Sequence, residues 1–71
     1  MLSDKWKVTL KLAMKNYFKS YTERFPGKSV KDAVNATRNY VEGYVEKIIE
    51  TEIDHETHLW IENTLNEILM E

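Results

Sequence analysis

Cysteine is absent from this chain, and proline and glycine nearly so, with one and two residues among 71. Without cysteine there are no disulfides, no thiolate metal ligands and no thiol nucleophile. No apolar run approaches the roughly 18 residues that read as a membrane span. The start, Met1-Leu2-Ser3-Asp4-Lys5-Trp6-Lys7, lacks the apolar stretch of a secretion signal. These absences predict a soluble, cytoplasmic protein with no membrane partner. In that setting the glycosylation triplet Asn35-Ala36-Thr37 is read as chance.

The length predicts one domain over residues 1–71. A chain this short buries only about 60% of its unfolded surface, so its core is marginal. With disulfides excluded, oligomerisation is the natural aid. Two Trp, four Tyr and two Phe supply large apolar area and partly offset the short length.

Charge is present in quantity and unevenly placed. Residues 1–28 carry Lys5, Lys7, Lys11, Lys15, Lys19, Arg24 and Lys28 against Asp4 and Glu23, for +5. Residues 29–47 balance, and residues 48–71 hold seven acidic side chains and no Lys or Arg. The net charge of −2 therefore conceals a strongly dipolar chain, a pattern that bears on partners.

The scarcity of helix breakers leaves three amphipathic segments. Trp6, Leu10, Ala13, Met14, Tyr17, Phe18 and Tyr21 follow the helical period over about 4–21, with Ser3 or Asp4 as N-cap. Pro26-Gly27 marks a turn, with glycine free to take positive φ. Ser29-Val30-Lys31-Asp32 resembles a capping box opening a helix over about 30–50. Its apolar face is Val30, Ala33, Val34, Thr37, Val41, Tyr44, Val45 and Ile48. A third helix over about 55–70 presents Thr57, Trp60, Ile61, Thr64, Leu65 and Ile68. Residues 49–56 hold neither Gly nor Pro. The apolar series nonetheless slips by one position there, which favours a break capped by Asp54 or Thr51 over one bent helix. The expectation is an all-α fold, a three-helix bundle assembling as a homodimer, with the basic first helix and acidic third side by side.

The motifs of chemistry fail on spacing. Gly27-Lys28-Ser29 ends like a phosphate-binding loop, but the required earlier glycine is Thr22 and no strand precedes it. His55-Glu56-Thr57-His58 sets its histidines three apart, where the zinc-protease helix needs four. Glu62 lies four beyond His58, and Glu52-Ile53-Asp54-His55 has the Glu-x-x-His spacing of carboxylate-bridged metal bundles, but further ligands are not evident. No metal site, cofactor, catalytic group or small-molecule substrate is expected, and both histidines read as capping or solvent-facing.

What remains is a binding signal. Val8, Leu12, Tyr40, Leu59 and Met70 fall outside the apolar stripes, and Gly43 with Ala36 makes a notch on the second helix. Single exposed apolar residues are ordinary, but five in so small a domain fit an interface. The expected function is a small non-enzymatic interaction module, a regulator or adaptor that binds another protein or itself. Val8, Leu12, Tyr40, Gly43 and Leu59 are the candidate interface residues. The first alternative is nucleic-acid binding through the stripe Lys7, Lys11, Lys15 and Lys19. A pI near 5.7 and the acidic last third weigh against it. The second alternative is a structural subunit of a larger assembly.

Overall fold

The computed structural model describes residues 2–71, which form three α-helices and no strand: α1 (Asp4–Arg24), α2 (Val30–Ile49) and α3 (His55–Met70). Ser3 is the N-cap of α1, its side chain accepting the Trp6 N–H at 3.4 Å. The helix runs to Arg24, three residues past the expected Tyr21. Proline at position 26 disfavours helical backbone only at the residue before it, so helix continues until Phe25.

A hydrogen bond from the Lys28 N–H to the Phe25 carbonyl (3.0 Å) closes the turn around Pro26-Gly27. Gly27 does not use positive φ, contrary to expectation. The turn is accordingly of the type I kind, which needs no left-handed residue. Ser29 then caps α2 by accepting the Asp32 N–H at 3.1 Å.

The break between α2 and α3 is real and sharp. Glu50 takes the left-handed conformation (φ 57°, ψ 25°) while its N–H still reaches the Glu46 carbonyl at 2.8 Å. A helix commonly ends on such a residue, usually glycine. Asp54 is the N-cap of α3 by backbone geometry: its carbonyl accepts the His58 N–H at 3.0 Å, and its side chain makes no capping hydrogen bond.

All three helices feed one core. Leu10 and Met14 of α1, Val41 and Val45 of α2, and Ile61, Leu65 and Ile68 of α3 are buried together, with Leu2 folded in from the N-terminal side. Leu2 lies ahead of the first periodic segment and gave no pattern to read. Thr37 and Thr64 are buried without stranding their hydroxyls. Each donates to the carbonyl four residues earlier, Ala33 and Trp60, at 2.7 Å. Trp6, Val30 and Tyr44, expected inside, are exposed, and Trp60 is half-buried. Val30 is the first residue of α2, and Tyr44 extends the stacked Tyr17–Tyr40 pair along the outside of the molecule.

Ionic contacts fix the directions. Lys11 meets Glu67 at 3.1 Å and, one turn on, Lys15 meets Glu71 at 2.6 Å, so α1 and α3 run parallel. Arg38 meets Glu62 and Glu42 faces His58, so α2 and α3 run antiparallel. No helix among the described residues is long and apolar enough to cross a membrane.

Candidate interaction surface

The apolar residues that broke the sequence pattern lie on the surface. Val8 is 73% exposed and Leu12 60%, one turn apart on α1. Together with Lys11 and Lys15 they line a shallow apolar depression. A second shallow groove continues from Lys7, Val8 and Lys11 across to Trp60, Asn63, Thr64 and Glu67 of α3.

The remaining candidates do not join this patch. Tyr40 stacks on Tyr17 of α1, with ring centroids 4.4 Å apart and planes within 10°, and Tyr44 lies next along at 6.4 Å. This aromatic row covers the α1–α2 seam, which supplies Tyr40 with a partner inside the chain. Position 43 is open: a side chain placed there meets nothing within 4 Å, so none of the chain's own helices uses the notch. Leu59 and Met70 are exposed on α3. Phe25, Val30 and Leu69 are further exposed apolar residues not singled out from the sequence.

The lysine stripe is largely engaged within the molecule. Lys11 and Lys15 hold Glu67 and Glu71, and the Lys7 ammonium lies 6.0 Å from the Trp60 ring centre. The hydrogen bond from Lys15, aided by the charges of Lys15 and Lys11, holds the Glu71 carboxyl below its ordinary value against the small opposing effect of burial. Two of the four stripe lysines thus spend their charge on α3's acidic end. Lys7 and Lys19 make no ion pair among the described residues, and of the two only Lys7 has a ring to lie over.

A separate polar cluster joins α2 to α3. Arg38 donates from Nε and Nη2 to the two oxygens of Glu62, the second at 3.1 Å, and from Nη1 to the Asn35 side-chain carbonyl at 2.6 Å. The Arg38 hydrogen bonds and charge depress the Glu62 carboxyl against desolvation, and Glu62 in turn raises Arg38. Next to this pair, Glu42 Oε1 is shielded from solvent and makes no hydrogen bond. His58 Nδ1 lies 3.7 Å from it, too far for one. His58 and Glu62 were visible in the sequence as a pair four apart. Glu42 was not, because its part depends on the α2–α3 register. His55 and Glu52, which share the Glu-x-x-His spacing, stay outside the cluster.

Comparison of the chain with protein-family models, with curated protein sequences and with solved structures gives no match.

Proposed function

We propose that this protein is a small non-enzymatic interaction module, a regulator or adaptor, and that the Val8–Leu12 face of α1 binds a second copy of the chain. The observation that carries this reading is the pair Val8 and Leu12, exposed beside lysines already neutralised by α3. Two free lysine stripes brought face to face would repel. With Lys11 and Lys15 tied to Glu67 and Glu71, the rim presents alternating, balanced charge, and the apolar centre of one copy can cover that of another at low electrostatic cost. A two-fold arrangement is the commonest way for one patch to serve both partners.

Sedimentation velocity from low to high micromolar concentration tests it. Wild-type protein is expected to shift from monomer to dimer, and the double variant Val8→Gln, Leu12→Gln to remain monomeric with unchanged helix content. A wild-type monomer throughout overturns the self-association. Capture of a foreign protein that the double variant loses would then assign the face to another partner. Nucleic-acid binding that weakens steeply with salt, and is lost when Lys7, Lys11 and Lys15 become Gln, would favour the alternative reading.

A further inference from the structure

We propose that Glu42, His58 and Glu62 form a binding site for a divalent transition-metal ion of the zinc type, clamping α3 onto α2. The inference is independent of the dimer surface, which lies on α1.

The donors come from two helices. His58 and Glu62 are one turn apart on α3, Glu42 faces them from α2, and one ligand atom from each lies within 4.8 Å of the other two. Ligand bonds of about 2.0–2.2 Å to zinc place neighbouring tetrahedral ligands roughly 3.4 Å apart. The separation of 3.7 Å between Glu42 Oε1 and His58 Nδ1 is close to such an edge. With Glu62 held by Arg38, rotation of the Glu42 and His58 side chains, neither tied by a hydrogen bond at its facing atom, supplies the remaining contraction without moving a helix.

The second observation is the orphaned oxygen. Glu42 Oε1 is withdrawn from water, takes no hydrogen bond, and faces the histidine. A shielded carboxylate oxygen without a donor is costly. A cation bridging it to His58 and Glu62 would remove that cost. Arg38 does not compete for the position: its two hydrogen bonds use one lone pair of each Glu62 oxygen and leave the others. The guanidinium, itself held by Asn35, then acts as the outer hydrogen-bond partner that fixes a ligand's orientation. Two carboxylates against one guanidinium leave the cluster a net negative charge toward an incoming cation.

The donor set selects the ion class. One imidazole and two carboxylates suit zinc and its neighbours. Calcium takes six to eight oxygens, and magnesium is usually held through water and phosphate, so neither matches. Half-exposed His58 leaves a route in and room for water as the fourth ligand.

Co(II) is the spectroscopic probe and Zn(II) the competitor, each added alone to the full chain at neutral pH. The wild type is expected to develop visible ligand-field bands with Co(II) that Zn(II) abolishes at one equivalent. Its melting temperature should rise on the order of 10 °C at a hundredfold excess of Zn(II) over Kd. His58→Ala and Glu42→Gln should lose both effects, and His55→Ala should keep them. Imidazole NMR of the unaltered protein provides a readout that needs no variant: Zn(II) should shift the His58 ring nitrogens and leave those of His55. Absence of bands and of a melting shift overturns the site. So does binding that survives in His58→Ala, or an NMR response centred on His55.

Discussion

Two backbone positions carry costs that substitution can remove. Gly43 sits inside α2 with open space around it, so it brings glycine's entropic cost with no packing in return. Gly43→Ala should raise unfolding stability by about 1 kcal/mol, read as a higher urea midpoint with unchanged slope. Glu50 is the one non-glycine described with positive φ, a conformation that costs an L-residue roughly 1–2 kcal/mol. Glu50→Gly keeps the helix stop and removes most of that cost, so its melting temperature should rise by several degrees. The reverse result, a loss of stability on adding glycine, would mean that Glu50 carries an interaction the fold depends on. Sequence reading separated these sites unequally. The misplaced glycine at 43 was visible against a helical period. The left-handed Glu50 was not, because a glutamate gives no local sign of a stop and only the phase slip of the apolar series betrayed it.

Helix ends account for part of the charge placement. α1 and α2 carry an acid in the first turn and a base in the last, as the helix dipole favours. α3 has no base in its last turn, and Glu67 and Glu71 crowd its negative end. Lys11 and Lys15 of the parallel α1 supply the missing positive charge. The depressed Glu71 carboxyl gives this a sign in pH. Its contribution is complete above the ordinary glutamate range and is lost as pH falls through the lowered folded value. Lys15→Met should therefore move the acid-unfolding midpoint to higher pH, and carboxyl NMR should show Glu71 titrating in its usual range. Raising salt should shrink the difference between the two proteins, since the pair is half exposed. Three amphipathic periods, two serine caps and the Pro-Gly turn made the elements legible in the chain. The exposure of Trp6, Val30 and Tyr44 was not, because period alone marks a stripe's direction and not how far a neighbouring helix reaches along or across it. The Glu42–His58–Glu62 cluster depends on the register of two helices, which no single segment encodes.

The whole molecule measures 35 × 21 × 17 Å, an elongated body set by the length of α1. Its accessible surface is 5081 Å², against about 4,700 Å² for a folded monomer of this mass. The excess accords with the many apolar side chains left outside, and with a chain that gains by covering them. The patch on α1 was half legible: Val8 and Leu12 break the period, but their grouping away from Tyr40, Gly43 and Leu59 follows from the packing of the helices. One consequence lies in time. Because Glu71 reaches only Lys15, the last turns of α1 beyond it have α2 alone for support, while the first half is held by α2 and α3 together. Amide hydrogen exchange should divide the single helix in two. Protons between Leu10 and Met14 should exchange only when the entire molecule opens, and those from Ser20 to Arg24 should escape by fraying, orders of magnitude sooner.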